Sequence, residues 1–107
     1  MTIVKFKITL QLNYEEILCV SHNGINWSTN QPIYLHWTSG NAWKNSIEVK
    51  DVHSFEYKYF IRKPDGEIVW ESIPNRRFDT KYQTERSISV VDSWNSHHDD
   101  IKIRATG

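Results

Sequence analysis

The clearest pattern along the chain has a period of two. Over residues 3–12, Val4, Phe6, Ile8, Leu10 and Leu12 alternate with Lys5, Lys7, Thr9 and Gln11, which predicts a strand with one buried face. Residues 17–21 form a short apolar run and predict a second strand. A polar stretch rich in Asn and Ser follows, from His22 to Pro32, and reads as a loop. Residues 33–37 and 43–50 predict two strands joined through Thr38-Ser39-Gly40-Asn41. Residues 54–63 and 67–71 predict a hairpin. Residues 85–91, with Ile88 and Val90 in phase, predict a last clear strand. The tail from His97 to Gly107 contains Ile101-Lys102-Ile103-Arg104, which reads as an extra edge strand or the start of a linker. No segment carries a helical period. The pattern predicts an all-β fold in one domain over residues 1–107: an antiparallel β-sandwich of about seven to eight strands, immunoglobulin-like.

The hairpin predicts which side chains share a face. Phe55, Tyr57, Tyr59 and Ile61 alternate with Glu56, Lys58 and Phe60. The first set is the more apolar, so Lys58 is expected to point outward. Pro64 suits the first corner of a type I turn, and Gly66 suits the left-handed residue that closes a three-residue loop with a bulge. That turn pairs Lys63 with Glu67, Ile61 with Val69 and Phe60 with Trp70. Trp70 then lies on the outer face, diagonal to Lys58. A two-residue loop would instead set Trp70 opposite Ile61, inside the core.

Composition narrows the function. The chain has 107 residues with 13 basic and 13 acidic side chains, a formal net charge of zero. Nucleic-acid binders usually carry a basic excess, so that class is disfavoured. No apolar run approaches the ~20 residues of a membrane span. The N-terminus alternates where a signal peptide would be continuously apolar, and the single cysteine, Cys19, reads as a buried free thiol. Asn26-Trp27-Ser28 is formally a glycosylation acceptor, and a glycan there would sit beside Trp27. Together these favour an intracellular chain. Five tryptophans, five tyrosines and four phenylalanines are more aromatic surface than so small a core can hold. Some are therefore expected at the surface, where a flat ring beside polar groups can cover the apolar C–H face of a sugar.

Phe55-Glu56-Tyr57-Lys58-Tyr59, followed by Trp70-Glu71-Ser72-Ile73-Pro74-Asn75-Arg76 with Trp70 twelve positions after Lys58, resembles the starch-binding domain, carbohydrate-binding module family 20. The resemblance covers most of the chain and includes the Trp27 loop, the segment from His36 to Val49, and Ser87 to Asn95. Where the family usually shows Gly-Ser and then Leu-Gly-x-Trp, this chain has Ser21-His22 and Gly24-Ile25-Asn26-Trp27. The resemblance implies a small β-sandwich that binds α-1,4-glucan (starch, glycogen or maltooligosaccharides) without cutting it, and that targets an attached catalytic domain to the polymer. It implies a first site of Trp27, Lys58, Trp70, Glu71 and Asn75, with the two tryptophans stacking on consecutive glucose rings and the other three hydrogen-bonding hydroxyls. It implies a second site of Tyr14, Trp37 and Trp43. No cofactor or metal is implied. Two rings covering roughly 200–300 Å² of apolar surface would contribute about 5–7 kcal/mol before association costs, which leaves a dissociation constant on the order of micromolar to millimolar.

Plainer readings stand beside these. Trp43 is in phase with Ile47 and Val49, which offers it a core position. Trp94, at the end of the last strand, reads as structural. Arg76 reads as a loop-ordering ion-pair partner, and Glu71 has the alternative of a solvated acid. Glycoside hydrolysis needs a second positioned carboxylate, and none stands out, so the chain is not expected to be an enzyme. His97-His98-Asp99-Asp100 has metal-ligand residue types but reads as a solvated tail. The leading alternative function is an immunoglobulin-like protein-interaction domain whose exposed aromatics meet a partner. A single-strand nucleic-acid binder comes third.

Overall fold

The computed structural model describes residues 2–49, 54–79, 86–96 and 101–105. Among the described residues the strands are β1 (Thr2–Thr9), β2 (Ile17–His22), β3 (Ile33–Tyr34), β4 (His36–Thr38), β5 (Ala42–Val49), β6 (Ser54–Arg62), β7 (Ile68–Trp70), β8 (Arg76–Asp79), β9 (Arg86–Ser93) and β10 (Ile101–Ala105). They form two sheets. One has the order β10-β9-β1-β5-β4, and the other β3-β2-β6-β7 with β8 also on β6. The chain is a β-sandwich, as its alternation predicts. Val4, Phe6 and Ile8 of β1 meet Leu18 and Val20 of β2 and Phe55, Tyr57 and Tyr59 of β6 in one core. The Phe6 ring lies 5.4 Å from that of Tyr57, edge to face.

Three features depart from the expected pattern. The sandwich is not wholly antiparallel: β1 and β9 run parallel, with Val4 opposite Ile88 and Phe6 opposite Val90. The run 33–37 is not one strand. Ile33 and Tyr34 pair with β2, whereas His36–Thr38 pair with β5 in the other sheet. Leu35 makes the crossing, buried between the sheets, with its N–H donating to Leu18 O at 3.0 Å. A strand that changes sheets at such a corner keeps its alternation, so its sequence resembles an unbroken strand. The third departure is β8, whose sequence Arg-Arg-Phe-Asp contains a single apolar residue and gives no period to read. The tail segment is an edge strand, β10 on β9. The His97–Asp100 cluster lies outside the described residues.

The outer face of the second sheet carries its own small apolar layer. Cys19 and Phe60 are partners across β2 and β6, and both are fully buried although they face away from the core. Trp70 covers Phe60 with ring centroids 4.8 Å apart. The loop after Trp27 is held down beside them by Ser21 Oγ, which donates to Ser28 O at 2.8 Å, and by Arg62, which donates to Thr29 O. Burial pushes the Cys19 thiol up to about 11, against the pull of the Arg62 charge. Little thiolate therefore exists at neutral pH, and no path leads to it. At pH 8 a thiol reagent such as DTNB is expected to label native protein roughly a hundredfold or more slower than urea-unfolded protein. Comparable rates would place Cys19 at the surface.

Candidate functional site

The site lies on the outer face of the second sheet, and the hairpin turn decides what it presents. Lys63 N donates to Glu67 O and Gly66 N to Lys63 O, each at 2.9 Å. Gly66 takes φ +92°, a conformation that only glycine adopts without strain. The register is the expected one, Phe60 with Trp70 and Ile61 with Val69. Trp70 therefore projects outward while Tyr57 and Tyr59 point into the core. Trp27, Lys58, Trp70 and Asn75 together line an open cleft of about 280 Å³.

Trp27 reaches the cleft through a tightly tied loop. A single 3-10 turn, Asn23–Ile25, is capped by His22, whose Nδ1 accepts from Gly24 N at 3.1 Å. Accepting requires a neutral ring, and burial lowers the imidazole pKa in that direction. His22 stacks on Phe55 with centroids 5.0 Å apart. A Cβ at Gly24 would stand 2.9 Å from His22 Cε1, so only glycine lets the backbone pass this ring. Asn26 and Trp27 then both adopt left-handed backbone, φ 53° and 57°. For a bulky aromatic this stores strain of about 1–3 kcal/mol. The restraining bonds are Trp27 N to His22 O at 3.1 Å, Ser28 N to Ile25 O at 3.2 Å, and Asn23 Nδ2 to Ser54 O at 3.1 Å on β6. The loop that differs most from the family pattern thus still delivers its tryptophan to the cleft.

Glu71 corrects the expectation that it contacts ligand, and equally the alternative of a solvated acid. Its side chain is fully buried. β7 and β8 lie end to end on the same side of β6, and Glu71 fills the break between them. Its backbone N donates to Tyr59 O at 3.1 Å, and its Oε1 accepts from Tyr59 N at 3.1 Å, standing in for the missing strand partner. Arg76 Nε and Nη2 donate to Oε1 and Oε2 at 3.2 and 2.7 Å, and Asn95 N donates to Oε2 at 3.0 Å. With both oxygens saturated, Glu71 has no capacity left for a hydroxyl. Arg76 continues to Asp92 Oδ1 at 3.2 Å and Ser93 O at 2.7 Å. Asp92 Oδ2 accepts from Tyr57 and Tyr59 hydroxyls at 2.8 and 2.7 Å. The reading of Arg76 as an ion-pair partner therefore stands, and the pair joins the two sheets. Neither buried carboxylate faces the cleft, so they form no acid–base pair on a bound sugar.

The second group divides. Tyr14 is 91% exposed and Trp37 58% exposed, whereas Trp43 is 8% exposed. Trp43 is a core residue: its Nε1 donates to Leu10 O at 2.9 Å, and its position in phase with Ile47 and Val49 was the informative signal. Trp37 Nε1 donates to Asn41 Oδ1 at 3.1 Å, and Leu10 N donates to Asn41 O at 3.0 Å. These bonds tie the start of the Tyr14 segment to the turn beside Trp37, at one end of the first sheet.

Two tryptophans with an ammonium and a carboxamide between them suit a neutral, hydroxyl-rich ligand with apolar ring faces. The family model of the starch-binding domain matches residues 1–90. The chain belongs to the starch-binding domain family. It is 35% identical over 69 residues to Glucoamylase-1 of Schizophyllum commune, which covers 64% of this chain and 12% of that protein. It is 37% identical over 57 residues to the AA13 family lytic polysaccharide monooxygenase A of Aspergillus terreus, which covers 50% and 14%. The chain thus spans about an eighth of the length of these relatives. Among solved structures, the family 20 CBM of a maltotetraose-forming amylase from Pseudomonas saccharophila superposes with a TM-score of 0.62 at 26% identity, covering 82% of this chain and 99% of that one. The glycoside hydrolase family 15 glucoamylase from Hypocrea jecorina shares the fold, with a TM-score of 0.77 over 89% of this chain and 17% of its own. A starch-binding domain is a non-catalytic module, and the role of this one is carbohydrate binding; the protein-interaction reading is not favoured.

The buried network gives the starch-binding domain a measurable alkaline limit. Burial, reinforced by the Asp92 charge, raises the Tyr57 and Tyr59 phenols well above the usual range. Unfolded tyrosines ionise near pH 10, while these two keep their protons in the folded state. The folded state then binds more protons than the unfolded one, so stability is full below pH 10 and falls above it, by up to about 2.7 kcal/mol per pH unit for two protons. Urea midpoints measured from pH 9 to 11.5 should show that decline, and a flat profile would contradict the network.

Proposed function

We propose that the cleft between Trp27 and Trp70 is the principal α-1,4-glucan site of this domain, and that the domain keeps an attached catalytic domain on a starch or glycogen polymer. The observation that carries the reading is the convergence of Trp27, Lys58, Trp70 and Asn75, from three separate segments, on one cleft. The two indoles offer rigid apolar faces to consecutive glucose rings at small entropic cost. Lys58 donates to hydroxyls, and Asn75 can both donate and accept. Glu71 acts from beneath by holding the backbone that carries Trp70 and Asn75. The exposed Tyr14 and Trp37 provide a second contact, which on a polymer with many equivalent ends raises retention by avidity. The tie to a catalytic domain is supported by relatives that are a glucoamylase and a polysaccharide monooxygenase, of which this chain matches 12% and 14%.

The test is retention on insoluble starch, competed with β-cyclodextrin. Trp70→Ala is expected to weaken binding about tenfold or more, the loss of a buried aromatic anchor. Lys58→Ala should weaken it several-fold while leaving the urea midpoint nearly unchanged, since an exposed-face lysine contributes little to stability. Full retention of Trp70→Ala, with its fold verified by circular dichroism, would refute the assignment.

A further inference from the structure

A second cleft lies beyond Trp70. Each of the three segments that border the first cleft continues, in the same order, into this neighbouring one of about 320 Å³. On β6 the outward positions run Lys58, Phe60, Arg62: Lys58 lines the first cleft, Phe60 is buried under Trp70, and Arg62 lines the second. On β7 the sequence passes from Trp70 to Ile68 and on to Gly66 in the turn. In the loop it passes from Trp27 to Thr29 and Asn30. The two clefts follow one another along β6, between the loop and the hairpin, with Trp70 lying over Phe60 between them. Lys58 and Arg62 stand about 13 Å apart along the strand.

We propose that this second cleft is a further glucosyl subsite anchored by Arg62, so that the domain distinguishes longer α-glucan chains from short ones. The inference rests on the reading of the Trp27–Trp70 cleft as the glucan site. Arg62 is held in place before any ligand arrives. One terminal nitrogen donates to Tyr34 Oη at 2.7 Å and the other to Thr29 O, and the guanidinium lies 5.3 Å from the Tyr34 ring centre. Two of its five N–H groups are thereby used and three remain. It takes part in neither the Arg76–Glu71 nor the Arg76–Asp92 ion pair. A fixed, planar donor with spare N–H groups, beside the hydroxyl of Thr29 and the amide of Asn30, matches a pair of adjacent sugar hydroxyls. Its planar fork loses little entropy on doing so.

The experiment is calorimetric titration with maltotriose and maltoheptaose in a Tyr14→Ala background, which silences the second contact. Arg62→Ala is expected to weaken maltoheptaose roughly tenfold, the loss of hydrogen bonds to a charged donor, and to change maltotriose by less than about twofold. Arg62 also restrains Thr29, so Asn30→Ala serves as the independent variant. Asn30 is exposed, and its truncation should cost maltoheptaose about two- to threefold, the value of one hydrogen bond, and leave maltotriose unchanged. Equal losses on both sugars, or no loss on maltoheptaose from either variant, would overturn the subsite. If Trp70→Ala leaves both sugars bound as tightly as before, the underlying cleft assignment fails instead.

Discussion

The Trp70–Asn75 side of the candidate site depends on one buried arrangement, the pairing of Arg76 with Glu71 and Asp92. β6 needs a partner along its free side, and the chain supplies two short strands with a break between them. At that break Tyr59 N–H would be left buried without an acceptor, at a cost of about 1–3 kcal/mol. The Glu71 carboxylate closes the gap. A carboxylate in that position needs a cation, Arg76 provides it, and Arg76 in turn draws in Asp92 from β9 of the opposite sheet. Although burial works against the guanidinium, its hydrogen bonds to Glu71 and the Asp92 charge raise its pKa, so the cation persists. Such a network is expensive to bury and more expensive to break, with removal of one partner typically costing about 3–5 kcal/mol.

The functional consequence is that the break in the sheet becomes a rigid platform. Trp70 precedes Glu71, and Asn75 precedes Arg76. Both cleft residues are therefore neighbours in sequence of groups that cannot move. Ser72 N donates to Asn95 Oδ1 at 2.8 Å, which fastens the connection to the end of β9. Opposite, Trp27 is held in a left-handed conformation by a loop bonded to β2 and β6. A ligand meeting these two indoles pays little to order them, which is how a shallow, open cleft can still bind a flexible polymer.

How much of this was legible in the chain follows from how local each cause is. The Pro64-Asp65-Gly66 turn acts over a few residues, so the register and the outward placement of Trp70 could be read directly. The convergence of Trp27 with Lys58 and Asn75 was visible only through the family resemblance, because nothing in residues 22–32 alone brings that loop to β6. Glu71 was misread because the groups that bury it, Tyr59 N–H and Asn95 N–H, lie twelve and twenty-four positions away, and its nearer partner Arg76 could be read as an ion-pair former without showing that the pair is buried. The β3–β4 corner was invisible because alternation survives the change of sheet at Leu35. Trp43 carried its own answer in its phase with Ile47 and Val49, against the transferred role.

On the proposed reading, a cleft held in shape by a buried ion network binds α-glucan between Trp27 and Trp70. Titration with β-cyclodextrin tests this, followed by two-dimensional NMR through the indole Nε1–H resonances and the protected Arg76 Nε–H. Trp27 and Trp70 are expected to shift strongly while Trp43 and Arg76 Nε–H stay fixed. Stationary Trp27 and Trp70 signals at saturation, or a large displacement of Arg76 Nε–H, would contradict it.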